Sequence, residues 1–168
     1  MVVRHAAGVA DRGGHDADVV LVVDAANVVG ARPDGWWRDR AGAARRLLDQ
    51  LEALPGRSVP GADGLGVRVV AVAVVLEGRA RAAVEDGRGR GPGLQVLLAP
   101  GSGDDAVVDL VDHLRRLLGE EDAEVVVVTA DRGLRGRLPG RSWGPGWLRD
   151  LLDELEGRGR AGEETRCP

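Results

Sequence analysis

Four short runs built almost wholly of Val, Leu and Ala recur along the chain: Val19–Val23 (VVLVV), Val67–Leu76 (VRVVAVAVVL), Leu94–Leu98 (LQVLL) and Val125–Val128 (VVVV). A strand with one wet face alternates apolar and polar residues. These runs scarcely alternate, which is the pattern of strands covered on both faces in a parallel sheet. The intervening segments supply the cover. Trp37, Ala41, Ala44, Leu48 and Leu51 recur at helical spacing until Pro55-Gly56 stops them. Gly103–Leu118 places Val107, Val108, Leu110, Val111, Leu114 and Leu118 on one broad apolar face, and Trp147, Leu148, Leu151, Leu152 and Leu155 mark a last helix ending at Gly157. Strand and helix alternate, so the expected fold is an α/β three-layer sandwich around a mainly parallel sheet of four to five strands. Residues 1–17 read as a flexible N-terminal arm, 18–156 as the domain and 157–168 as a flexible tail. The Gly/Arg-rich stretch EGRARAAVEDGRGRGPG is expected to be mobile toward its end.

Composition limits which signals can be used. Phe, Tyr, Lys and Ile are absent, so all 23 basic side chains of the Lys+Arg count are Arg. The missing residues have AT-rich codons, which points to a GC-rich, bacterial genome. Arg enrichment and aromatic poverty therefore say little about function. A net charge of -4 excludes an overall basic field, and nucleic-acid binding would need a local patch. The lone Cys167 excludes a disulfide framework or a cysteine zinc site. No apolar run approaches the roughly 18 residues of a membrane span, and MVVRHAAGVADRGG lacks the apolar core of a signal peptide. A cytoplasmic protein without a membrane partner is expected.

In open parallel sheets ligands bind beyond the carboxyl ends of the strands. An acid waits there each time. Asp24 follows the first strand, with Asn27 three residues on; Glu77 follows the second; Asp104 and Asp105 open the helix after the third, with Asp109 one turn later; Thr129 and Asp131 follow the fourth. Gathered carboxylates repel unless protonated or bridged by a cation. Oxygen donors without nearby His or Cys suit Mg²⁺ or Mn²⁺, which can activate water against a phosphodiester. Asp24, Asp105, Asp131, Glu77 and Asp109 are thus candidate metal ligands. Plainer roles stand beside this one. Ser102-x-x-Asp105 is a capping box, Asp24 and Asp131 can be turn formers, and Asp109 sits on a solvated face.

In this order, DAANVVGARPDGWWRDRAGAARRLLDQL, a second strand ending in an acid, GSGDDAVVDLV and VVVVTADRGLRGRL resemble the NYN domains of the PIN-like ribonuclease superfamily, and among them the YacP-like branch. The likeness spans about residues 19–156. It implies a PIN-like fold and a Mg²⁺- or Mn²⁺-dependent endoribonuclease, with Asp24, Asp105 and Asp131 as the catalytic acids. Asn27 would orient the first loop and Thr129 would support the last. The branch carries Asp where this chain has Glu77. Of Asp104 and Asp105, the spacing to Val108 and Asp109 favours Asp105 as the inward one, leaving Asp104 in support.

Arg79, Arg81, Arg88 and Arg90 after Glu77, and Arg132, Arg135 and Arg137 after Asp131, would flank the acids and offer RNA a positive rim. Their plainer role is a solvated surface. Trp37 fits the apolar stripe of its helix, whereas Trp36 is free to stack a base; Trp143 and Trp147 read as packing residues. His5, His15 and His113 have no triad or metal spacing. The leading expectation is an endoribonuclease whose partner is RNA, single-stranded or presented by a larger particle; homo-oligomerisation is compatible with the sequence but not inferable from it. The alternative is an RNA- or nucleotide-binding module with weak or no catalysis. A phosphatase on a similar sheet is a third, but DAANV lacks the second Asp of a DxDx[TV] loop, and no GxGxxG follows the first strand for a dinucleotide.

Overall fold

Strand β1 (Ala17–Asp24) lies inside the sheet, bonded in parallel to β3 (Gly66–Leu76) on one side and β5 (Glu124–Val128) on the other. The computed structural model describes residues 16–84 and 91–164. Beyond β5 lies the two-residue β6 (Ser142–Trp143). The far edge of β3 is shared. Its first half pairs antiparallel with β2 (Ser58–Pro60), its second half in parallel with β4 (Leu94–Leu98). The result is a curled, mainly parallel α/β sheet of six strands among the described residues, ordered β2-β3-β1-β5-β6 with β4 on β3. The sequence pattern misses β2 and β6, because three and two residues carry no period.

Side chains alternate across the sheet. Val19, Leu21 and Val23 of β1 and Val126 and Val128 of β5 enter one core; Val22, Val125 and Val127 enter the other. The first core is covered by α1 (Ala25–Gly30), α2 (Arg40–Leu51) and α5 (Pro145–Glu164), contributing Val28, Leu47, Leu48, Leu148 and Leu152. The second is covered by α3 (Gly103–Asp122) and α4 (Arg132–Arg137), through Val107, Val111 and Leu134. Both faces of the central strands are dry, as their unbroken valines require. The expected three-layer arrangement is the one observed.

Three differences from the sequence expectation are local. Helix α5 continues past Gly157 to Glu164, since one glycine costs only about 1 kcal/mol in a helix. Gly78–Ala83, at the start of the Gly/Arg-rich stretch, forms a 3-10 helix for which the sequence offers no pattern, and most of the end expected to be mobile lies outside the described residues. Trp37 precedes α2 and is 52% exposed, while Trp36 packs against the first core; their expected places are exchanged. Asp39 explains this, because its side chain accepts from Gly42 N at 2.8 Å and starts α2 only at Arg40, leaving Trp37 outside the helical stripe. Residues 1–15, 85–90 and 165–168 lie outside the described residues, and with them His5, His15, Arg88, Arg90 and Cys167.

Candidate active site

The chain leaves β1 upward into α1–α2 and returns as β3 on one side, whereas β5 arrives on the other. The carboxyl ends of β1 and β5 thus flank a point where the connections diverge, the place where open α/β sheets bind ligands. Asp24 stands there as the last residue of β1. It caps α1, its Oδ1 accepting from Asn27 N at 3.2 Å, and its Oδ2 accepts from the Thr129 hydroxyl at 3.0 Å. Thr129 is 0% exposed and its Oγ1 in turn accepts from Asp131 N at 3.1 Å. Asn27 closes a second tie, its Oδ1 accepting from Ala130 N at 2.8 Å. Asp131 caps α4 by accepting from Leu134 N at 2.8 Å. One polar network therefore joins the ends of β1 and β5. Asp24, Asn27, Thr129 and Asp131, all expected at the site, are brought together.

Glu77 reaches the same edge from β3. Its Oε2 accepts from Gly103 N at 2.8 Å, at the start of α3. A Cβ at position 103 would lie 2.6 Å from that oxygen, so glycine is what lets the carboxylate approach. The longer Glu side chain thus acts as a brace between β3 and α3.

The two acids opening α3 diverge. Asp105 is the outward one: its side chain is 65% exposed and pairs with Arg137, whose Nη2 donates to Oδ1 at 2.6 Å. Asp104 is half-buried and its carboxyl is pushed above the usual range, by burial first and then by Asp131 and Glu77, against the pull of Arg137. The expectation that Asp105 points inward is corrected. Ser102 caps α3 by accepting from Asp105 N, at 3.4 Å, and this geometry turns position 104 toward the sheet edge. Asp109 is exposed, and with Asp105 it borders a different feature, a groove of about 500 Å³ between β4 and α3 that also includes Leu97 and His113.

Asp24 is raised as well. Burial is the main cause, the bonds from Asn27 and Thr129 oppose it, and Asp104 and Glu77 add to the rise. Asp24, Glu77, Asp104 and Asp131 therefore form one electrostatically coupled acidic edge. Its donors are hard oxygens only, the type a divalent Mg²⁺ or Mn²⁺ takes. Among the described residues, no three His, Cys, Asp or Glu side chains are gathered closely enough to hold a metal ion. A hard cation at this edge would be held by one or two of these carboxylates, with water in its other positions.

Around this edge, Arg79, Arg81 and Arg132 are exposed. Arg135 donates to Ser142 Oγ at 2.9 Å and is held against the start of β6. Arg137, by its tie to Asp105, is the arginine placed most definitely beside the acids; Asp104 also acts on its charge. Trp143 and Trp147 pack together with ring centroids 4.4 Å apart, and Trp147 Nε1 donates to Pro60 O. The sequence leaves one feature unseen. Trp36, Arg40, Glu77 and Gly78 line a cavity of about 160 Å³ against α1, where the segment after β3 meets α1 and α2.

The sheet order and its acidic edge define an α/β domain, a mainly parallel curled sheet flanked by helices. A solved structure similar to it is that of a single-substitution variant of Rae1 (YacP) from Bacillus subtilis, with a TM-score of 0.57, 18% identity, and 83% of this chain and 77% of that chain covered. The fold is YacP-like. No protein-family model matches the chain, and no curated protein matches it. No helix among the described residues is long and apolar enough to cross a membrane.

Proposed function

We propose that this chain is an NYN-type endoribonuclease that hydrolyses RNA phosphodiesters at the acidic edge formed by Asp24, Asp104, Asp131 and Glu77. The observation that carries this is the hydrogen-bonded network that gathers Asp24, Thr129 and Asp131 at the divergence point of a YacP-like sheet, with Glu77 and Asp104 beside it and the carboxyls of Asp24 and Asp104 raised by burial first and by neighbouring acids second. Such a cluster is costly to assemble and is common where chemistry needs it. A Mg²⁺ or Mn²⁺ ion bound there would supply charge neutralisation and an activated water.

The residues of the chain have separable tasks. Thr129 and Asn27 hold the β1 and β5 ends in register, so that Asp24 and Asp131 stay at a fixed spacing. Glu77 fixes the start of α3 and hence Asp104. Arg137, steadied by Asp105, offers a guanidinium to a phosphate oxygen, with Arg79, Arg81 and Arg132 as a looser rim. RNA reaches the edge from the open carboxyl side of the sheet.

The test is cleavage of single-stranded RNA in Mn²⁺ by the wild-type chain and by Asp24→Asn and Asp131→Asn. Loss of cleavage with a native circular-dichroism spectrum is expected; undiminished cleavage by both variants would refute the proposal. A second reading has its own support. Asp24, Asp131 and Glu77 each already accept a backbone N–H, and no three-ligand metal group is gathered among the described residues. RNA bound without turnover at any divalent metal would favour a binding module.

A further inference from the structure

The 160 Å³ cavity beside Glu77 lies between α1, α2 and the 3-10 helix that follows β3. Its size is that of one six-membered aromatic ring, since a cavity of ~150 Å³ admits benzene. Its chemistry is mixed in a particular way. Ala25, Ala26 and Ala44 make the wall small and apolar, Trp36 adds an indole, and Glu77 adds a carboxylate. One oxygen of that carboxylate accepts from Gly103 N, which leaves the other to accept from a ligand. Arg40 is exposed, with its guanidinium 5.4 Å from the Trp36 ring centroid.

The neighbourhood also matters. Ala25 and Ala26 directly follow Asp24, and Glu77 acts electrostatically on both Asp24 and Asp104. A ring seated in the cavity is therefore a near neighbour of the acidic edge, with Glu77 common to both. A short apolar slot would hold any flat ring, but an acceptor at its rim selects a ring with an outward N–H. Carboxylates accept from the cytosine 4-amino group, whereas uracil presents a carbonyl at that position and carries its N3–H between two carbonyls whose oxygens a carboxylate repels. A purine exceeds one ring.

We propose that this cavity is a nucleobase pocket that takes a single cytosine, its amino group donating to Glu77, its ring against Trp36 and its phosphate met by Arg40. The inference rests on the endoribonuclease reading for its biological sense, though not for its test. It also gives the Glu at position 77 a task that the shorter Asp could not reach as well.

The experiment is a titration of the full chain with CMP, UMP, AMP and GMP in EDTA, followed by tryptophan fluorescence and by amide chemical shifts. CMP is expected to bind about tenfold or more tightly than the other three. Ala26→Leu, at an exposed position that projects into the cavity, should weaken CMP about tenfold or more by filling the space. Glu77→Gln, which can still accept from Gly103 N but offers an amide donor to the ring, should move the preference from CMP toward UMP. Equal binding of all four nucleotides, or no binding by a folded wild-type chain, would overturn the pocket. CMP affinity unchanged from wild type in both variants would overturn it too. RNA cleavage by a chain that binds no mononucleotide refutes the pocket alone, while CMP binding without RNA cleavage refutes the endonuclease alone.

Discussion

The hydroxyl of Thr129 donates to Asp24 Oδ2 across 3.0 Å and accepts from Asp131 N across 3.1 Å, so one buried oxygen links the last residue of β1 to the acid that follows β5. Thr129→Val keeps the shape and removes both bonds. Two polar groups lose their partner, at a cost of about 1–3 kcal/mol. We expect a lowered urea midpoint with an unchanged m-value, and RNA cleavage reduced more than RNA affinity. An unchanged midpoint would mean that water replaces the hydroxyl.

Asp104 and Asp105 are adjacent but face different surroundings, and substituting each separates their roles. Asp104→Asn is expected to reduce RNA cleavage by about 100-fold or more, the scale for removing a charged group placed in a reacting site. Asp105→Asn lies on the exposed side and should cost only a few-fold, through a less steady Arg137. Initial rates at saturating Mn²⁺ decide it. The reverse ranking would return the catalytic assignment to Asp105.

The raised carboxyls make stability depend on pH in a direction that can be worked out. Asp24 and Asp104 have folded pKa values above their ordinary value of 3.8, chiefly because burial disfavours the charge. In that window the folded chain binds more protons than the unfolded one, so stability falls as pH rises through it. Asp104→Asn removes a repelled charge and should raise the neutral-pH Tm by about 1–3 °C. The gain should vanish below the ordinary value of 3.8, where both forms are neutral. A Tm gain that persists at low pH would point to packing instead.

Arg137→Ala tests the guanidinium beside the acids. Its bond to Asp105 is largely exposed and screened by water, so the melting curve should barely move. RNA affinity should fall and its salt dependence should flatten by about one phosphate contact. Filter binding at several salt concentrations would show whether both happen together.

Leu148→Ala removes a fully buried side chain of α5 from the larger core. The expected loss is about 2–5 kcal/mol, read as a shifted denaturant midpoint. If the loss is below about 1 kcal/mol, α5 is not fixed to the sheet as described.

Much was legible without coordinates, and the reasons are physical. The valine runs of β1, β3 and β5 lack a wet face, which by itself demands helices on both sides and a parallel sheet. Asp24, Asn27, Thr129 and Asp131 follow two of those runs directly, so their placement at one sheet edge came from chain order alone. Tertiary structure decided what depends on rotation or on distant segments. Neighbouring residues of a helix differ by about 100°, and the phase of α3, set by its Ser102 cap and the Glu77 brace, turned Asp104 inward and left Asp105 with Arg137. The start of α2 at Arg40 exchanged the places of Trp36 and Trp37. The cavity between α1, α2 and Glu77 joins segments some fifty residues apart, and no local pattern encodes such an encounter.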